Sequence, residues 1–299
     1  MTANFIERPL DKAKRLPCWR GLVEPQPLDG GLSNHNYLVE DAGTKYVVRI
    51  GGDAPMHNVM RFNEQTCGRA AAVIGIAPQQ VYTQADALVM DFIEGTTLDA
   101  ELVQTNIAQI LPPLKTLHQA GSRAVRGAVL GFSVFHVARC YQKLLDESDC
   151  RSAVELPRLM KISAQLEAAV GAIEPALCHN DLLAANFIDD GERIWIIDWE
   201  HAGFNTPLFD LANIASNSVF PEALEREMLE RYYGEAASKA LWRRFKALRA
   251  ASHQRETMWS MVAEIYSELD QTVNQNFIAY TEKNLDDFNR AYEEFLRYA

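Results

Sequence analysis

The feature that most constrains this chain is a change of hydrophobic period at Glu94-Gly95. Before that point, apolar residues gather in strand-length stretches at 36–39, 45–50 and 87–93. Asp41-Ala42-Gly43-Thr44 is a turn signal that joins the first two into a hairpin. A helical segment at 58–74, carrying Glu64, lies between the second and third stretches. After Gly95 the period becomes helical, with apolar stripes over about 98–119, 132–147, 157–171, 208–218, 221–233, 236–268 and 273–298. Pro112-Pro113 should kink or split the first of these. One stretch breaks the helical regime: 186–188 and 193–198 read as an apolar hairpin turning at Asp189-Asp190-Gly191-Glu192. A short hairpin set among helices is a natural place to present polar residues at its ends.

The expected fold is therefore α+β and two-lobed: residues 1–95 form a small β-rich N-lobe with one main helix, and residues 96–299 form a larger, mostly helical C-lobe. A chain of 299 residues is long enough for both.

The polar residues at that hairpin are specific. His179-Asn180-Asp181-Leu182-Leu183-Ala184-Ala185-Asn186 fits the H-x-D-L-x-x-x-N pattern of a kinase catalytic loop, and Asp198 follows twelve residues later at the end of an apolar strand. Phosphoryl transfer asks a protein to orient a hydroxyl, hold Mg²⁺ across the phosphates and neutralise charge. Asp181 is the candidate base, Asn186 and Asp198 are candidate metal ligands, and His179 suits a bracing role within the catalytic loop. Taken singly, each has an ordinary reading as a helix cap, turn residue or strand end. Their order and spacing together favour the chemistry.

Upstream, Asp29-Gly30-Gly31-Leu32-Ser33-Asn34 precedes the first strand-like stretch, and its glycines permit a turn tight enough to approach phosphates. Gly30, Gly31, Ser33 and Asn34 are thus candidate nucleotide contacts. Arg49 on the following strand could reach the phosphates while Glu64 fixes it, the part a Lys–Glu pair plays in protein kinases. Asp91 and Ile93 fall where the two regimes meet, the expected hinge and adenine-binding edge.

Charge and cysteines narrow the class further. The net charge of −11 argues against a broad nucleic-acid or anionic-membrane surface and favours a cationic small molecule. Five scattered cysteines without CxxC pairs suggest reduced thiols, not a disulfide framework or zinc site. The N-terminal residues lack a signal-type apolar core, so a cytoplasmic protein without membrane insertion is expected. Nothing in the sequence specifies an oligomeric state.

Over nearly its whole length the sequence resembles the choline/ethanolamine kinase family, within the wider group that includes aminoglycoside phosphotransferases. The resemblance rests on Gly30-Gly31-Leu32-Ser33-Asn34, Tyr46-Val47-Val48-Arg49-Ile50, His179-Asn180-Asp181-Leu182, Ile197-Asp198-Trp199-Glu200 and Asp210-Leu211-Ala212-Asn213. It implies a protein-kinase-like fold with ATP in the cleft, Mg²⁺, and phosphorylation of the hydroxyl of choline or a similar amino alcohol. It also gives Asp210 a structural role bracing the catalytic loop.

Glu256-Thr257-Met258-Trp259-Ser260 resembles the family segment with two tryptophans three apart, and Asn276-Phe277-Ile278-Ala279-Tyr280 the later segment ending in tyrosine. Trp259 and Tyr280 thereby align with an aromatic cage for the ammonium group. Glu256 replaces the first tryptophan, so an acidic wall stands where the family has an aromatic one. Together with Glu200 it leaves choline, ethanolamine and related amino alcohols open as acceptors. An aminoglycoside or amino-sugar kinase of the same superfamily, and a non-catalytic nucleotide-binding pseudokinase, are the alternatives.

Overall fold

The computed structural model describes residues 8–28, 34–266 and 277–298. The chain opens with a short helix, α1 (Pro9–Lys14), and then strands β1 (Gln26–Leu28), β2 (His35–Asp41) and β3 (Thr44–Ile50). Helix α2 (Arg61–Val73) follows, then β4 (Gln80–Gln84) and β5 (Ala87–Asp91). The five strands form one antiparallel sheet in the order β1-β2-β3-β5-β4.

The expected hairpin is β2–β3, in register from His35 opposite Ile50 to Asp41 opposite Thr44. Its two central residues, Ala42 and Gly43, both have positive φ (51° and 82°), the backbone that matches the twist of a two-residue hairpin. Alternation buries Tyr37 and Val39 from β2, Val48 and Ile50 from β3, and Ala87 and Val89 from β5. Ala13 and Leu16, on and just after α1, close over that face.

Three expectations change here. The glycine loop does not precede the first strand; it connects β1 to β2. Strand β1 is three residues long and contains Pro27, which an edge position tolerates and which hides the strand from an alternation test. Helix α2 starts at Arg61, not 58, because Asn58 is left-handed (φ 59°) and Ala54 bridges to Val59. Asp53 Oδ1 then accepts the Arg61 N–H at 2.7 Å and caps a helix whose own N-cap residue, Met60, supplies no side-chain acceptor.

Beyond Gly95 the chain is mostly helical, as expected. It runs through β6 (Thr96–Thr97), α3 (Ala100–Thr105), α4 (Ile107–Ala124), α5 (Val134–Asp146), α6 (Leu156–Val170) and β7 (Ala176–Cys178). There follow β8 (Phe187–Asp189), β9 (Ile194–Ile196), β10 (Gly203–Asn205), α7 (Pro207–Asn217), α8 (Glu222–Tyr233), α9 (Lys239–Tyr266) and α10 (Phe277–Leu296).

The first helical stretch is split, but at Asn106 and not at the prolines. Pro112 and Pro113 lie inside α4, and the carbonyls they leave without amide donors belong to Ala108 and Gln109, both exposed to solvent. Asn106 Nδ2 instead caps back onto the Leu102 carbonyl at 2.9 Å and ends α3. Residues 267–276, which include the end of the expected helix 236–268 and the start of 273–298, lie outside the described residues.

The C-lobe core is built around α9, which is buried on nearly every face and packs against α5, α6, α7 and α10. Tyr141, Leu159 and Phe209 from α5, α6 and α7, and Phe245 of α9 itself, are fully buried there, each contributing roughly 1.5–3 kcal/mol by burial. The expected hairpin among the helices is β8–β9, joined by β6 into a three-stranded sheet. Gly95 allows that crossing, since a Cβ there would stand 2.5 Å from the Asp189 carbonyl oxygen. A second small pair, β7 with β10, flanks the segment that begins at His179.

Candidate active site

The segment after β7 is held chiefly through its backbone. Asp210, fully buried at the start of α7, accepts the N–H of His179 at 2.9 Å and of Asn180 at 2.7 Å, one on each carboxylate oxygen. His118 Nε2 reaches the same carboxylate at 2.8 Å, and Tyr232 meets His118 Nδ1 at 2.7 Å. Asn213, one turn on, accepts the Leu182 N–H at 2.5 Å. Asn180 is left-handed (φ 67°), and its side chain bridges the His201 carbonyl and the Asn205 amide. Sustained positive φ at a non-glycine residue costs about 1–3 kcal/mol and persists only where surrounding bonds over-determine it.

His179 joins the two halves of the site. Its Nε2 donates to the Ile197 carbonyl at 2.9 Å while its Nδ1 accepts the Asp181 N–H at 3.3 Å, a pairing that fixes the neutral Nε2–H tautomer. The ring therefore braces the loop instead of facing a reacting atom, and His179 is a positioning residue. Asn186 Nδ2 donates to the Asp181 carbonyl at 2.8 Å, and the Asn186 carbonyl accepts the Ile197 N–H at 3.0 Å. Asp181, Asn186 and Asp198 are thereby tied into one small region. Asp198, like Asn180, has φ 67°.

Each of the two aspartates meets an arginine. Asp198 Oδ1 accepts from Arg49 at 2.7 Å, and Arg49 also meets Glu64 at 2.5 Å, so the strand cation and helix carboxylate paired from sequence do form a bridge. Burial pushes the Asp198 carboxyl up, but the charge and hydrogen bond of Arg49 outweigh it and hold it below the ordinary carboxylate range. Asp181 Oδ1 accepts from Arg255 on α9 at 2.8 Å. There too burial works against the ionised form, and Arg255 with His201 overcomes it, leaving Asp181 lowered.

Arg61 extends the network, reaching Glu64 at 2.6 Å, Glu200 at 3.3 Å, Asn34 at 2.7 Å and the Gly52 carbonyl at 2.8 Å. Asn34 Nδ2 donates to Glu200 at 3.1 Å. Glu200 therefore stands among the N-lobe residues Asn34 and Arg61. Burial, with repulsion from Asp198, pushes its carboxyl up to about 7. Gly30, Gly31 and Ser33 lie outside the described residues. Asp91 ends β5 opposite Tyr46, its carboxyl raised by burial, and Ile93 follows in the connection to the C-lobe.

On the other side of Asp181, Glu256, Trp259 and Tyr280 do come together. Tyr280 donates to Glu256 Oε1 at 2.7 Å, and its ring meets Trp259 edge-on at 6.4 Å. Burial raises the Glu256 carboxyl, opposed by Arg255. The His57 ring lies 5.8 Å from Trp259 and 6.3 Å from Tyr141.

Sequence reasoning missed Arg61, Arg255, His57 and Tyr141. Arg61 had a readable signal, three residues before Glu64 on one helix face. Arg255 adjoins Glu256, but its partner lies 74 residues away. His57 and Tyr141 carried no signal.

A five-stranded antiparallel sheet over a helical lobe, with these carboxylates where the lobes meet, defines a two-lobed phosphotransferase of kinase type. A family model described as the phosphotransferase enzyme family matches residues 24–248, and the chain belongs to that family. Among its relatives, protein LicA of Haemophilus influenzae is 27% identical over 281 residues, covering 89% of this chain and 79% of that protein. Ethanolamine kinase 2 of Mus musculus is 26% identical over 275 residues, covering 82% of this chain and 69% of that protein. The solved structure of a choline/ethanolamine kinase family protein from Mesorhizobium loti matches with a TM-score of 0.78 at 25% identity, over 97% of this chain and 98% of that one. The expected fold and an alcohol-accepting phosphotransferase are both borne out.

Proposed function

We propose that this chain transfers the γ-phosphoryl group of ATP to the hydroxyl of a small cationic amino alcohol, choline or ethanolamine in kind, with Mg²⁺. The observation that carries this reading is the convergence of Asp181, Asn186 and Asp198, tied through the Asn186–Asp181 and Ile197–Asn186 hydrogen bonds. The names of the relatives support the acceptor class.

In this reading residues 1–95 bind the nucleotide. Arg49, held by Glu64, faces its phosphates, and Gly30, Gly31, Ser33 and Asn34 contribute the loop above them. Asp91 and Ile93 form the edge against which the base lies. Residues 96–299 carry the catalytic loop and the acceptor pocket.

The donor set fits a hard dication: the Asn186 side-chain carbonyl, aimed by the hydrogen bond its own Nδ2 makes, and the Asp198 carboxylate. Mg²⁺ bound there would neutralise developing charge on the phosphates. Asp181 accepts the proton of the acceptor hydroxyl as that oxygen bonds to the γ-phosphorus. The bond from phosphorus to the bridging oxygen breaks, and ADP leaves with the electron pair. Arg255 keeps Asp181 ionised for this step. Glu256, Trp259 and Tyr280 hold the ammonium.

The test is a coupled ADP-release assay over choline, ethanolamine, aminoglycosides and simple sugars, for the native chain and Asp181→Asn. Amino alcohols should stimulate release, and the substitution should lower kcat at least ~10²-fold while ATP still binds. Stimulation by aminoglycosides or sugars alone would overturn the acceptor. ATP binding without release on any acceptor would turn the chain into a non-catalytic binding module.

A further inference from the structure

Around Glu256 the structure buries polar atoms that the aromatic-cage description leaves unexplained. The Tyr141 side chain is fully buried, yet its hydroxyl has no hydrogen-bond partner among the described residues. The same holds for His57 Nδ1. Buried polar atoms are ordinarily satisfied, because leaving one unpaired forfeits its hydration with no return. The two rings lie 6.3 Å apart, and the His57 ring also meets that of Trp259, the aromatic residue one turn beyond Glu256, at 5.8 Å with a 44° tilt. The Tyr141 hydroxyl is near enough to Arg255, Glu256 and Asp181 to feel all three charges. Both side chains thus pack about the Trp259–Tyr280–Glu256 group beside Asp181.

Their chemistry is that of acceptors. Burial, reinforced by Arg255, keeps His57 neutral, so one ring nitrogen offers a lone pair. The tyrosine oxygen can accept as well. With the Glu256 carboxylate there are three kinds of acceptor gathered around Trp259 and Tyr280. The local charge agrees: Asp181 and Glu256 are opposed by Arg255, leaving one negative charge for a monocation.

We infer that His57 and Tyr141 are specificity-determining residues that, with Glu256, receive the N–H groups of a primary ammonium, so that the acceptor is a primary amino alcohol in preference to a trimethylammonium one. A primary ammonium offers three N–H donors, whereas a trimethylammonium offers none and is recognised by aromatic faces. Here the Glu256 carboxylate, one turn before Trp259 and bonded to Tyr280, stands where the family has a tryptophan, and the Phe277 ring lies 6.3 Å from Trp259. The inference rests on the amino-alcohol reading above and refines it.

Ethanolamine, N-methylethanolamine, N,N-dimethylethanolamine and choline remove the N–H groups one at a time without altering the hydroxyl. Their kcat/KM values in the ADP-release assay, with ATP fixed, should fall along the series. Tyr141→Phe, which deletes only the hydroxyl, should lower the ethanolamine-to-choline ratio of kcat/KM by about tenfold, the worth of one hydrogen bond to a charged group. His57→Phe, which keeps a ring against Trp259, should lower it comparably. Choline used as well as ethanolamine by the native chain, or a ratio unmoved by both substitutions, would overturn this inference and leave the phosphotransferase reading standing. No release with any of the four amines would remove both.

Discussion

Arg255→Met puts the assignment of Asp181 to its sharpest test. Both side chains are buried, and Arg255 Nη1 lies 2.8 Å from Asp181 Oδ1 with no other carboxylate in hydrogen-bond contact among the described residues. Methionine keeps an unbranched apolar chain and deletes the charge, along with the guanidinium's 5.9 Å contact over the Phe132 ring. An arginine beside an aspartate lowers its pKa by about 1–3 units, and the pair here also has burial pressing the other way. In the native chain the Asp181 limb lies below the ordinary carboxylate value of about 3.9. Without Arg255 the charge and hydrogen bond vanish and burial remains, so Asp181 should titrate at higher pH than in the native chain.

The assay is kcat/KM against pH, read by ADP release with ethanolamine or choline, alongside thermal melts over the same range. The acid limb should move to higher pH than in the native chain, and Arg255→Lys, which restores the charge but not the planar fork, should recover part of the displacement. Stability has a definite sign too. Because the folded pKa of Asp181 lies below the unfolded one, the pair stabilises fully above the unfolded value, and that stabilisation is lost as pH falls through the folded value. Arg255→Met should therefore destabilise most at neutral pH, by about 3–5 kcal/mol, and least in acid. A folded Arg255→Met chain with an unmoved acid limb would refute the pairing of Arg255 with the base.

Two further outcomes follow from the hydrogen-bond network. Asp210→Asn leaves one acceptor oxygen where the His179 and Asn180 amides now use two, and should cost about 2 kcal/mol, seen as a Tm several degrees lower together with reduced kcat. Glu64→Gln removes the carboxylate shared by Arg49 and Arg61 and should raise KM for ATP about tenfold or more, while changing kcat less; an unchanged KM would detach Arg49 from the nucleotide.

How much of this was legible in the sequence depends on how far apart the partners lie along the chain. The β2–β3 hairpin, the β8–β9 hairpin and the cluster of Asp181, Asn186 and Asp198 were readable because each is set by local period or by spacing over about twenty residues. Strand β1 was not: three residues with a proline at a sheet edge carry no alternation. Strand β4, also at an edge, gained its place only by pairing with β5. The split at Asn106 turned on which α4 carbonyls face water, a tertiary fact that the proline pair does not announce. Arg255, His57 and Tyr141 are ordinary helix and loop residues until folding brings α5, α9 and the turn before α2 together. The partners of Glu200, Asn34 and Arg61, were hidden for the same reason, since adjacency to Asp198 in sequence does not say which residues its side chain meets.

The two candidate catalytic carboxylates are held by opposite arrangements, and the difference suits their proposed roles. Arg49, which holds Asp198, has Glu64 at 2.5 Å as a second carboxylate. When a cation takes over Asp198, Arg49 keeps a buried partner, and the exchange strands no charge. Among the described residues Arg255 has no such reserve in hydrogen-bond reach, so its contact with Asp181 is costly to break. A metal ligand must trade its partner with each nucleotide that arrives, whereas a base must hold one orientation throughout. The same side chain, aspartate bound to arginine, is made exchangeable in one place and fixed in the other by whether a second carboxylate stands behind the arginine.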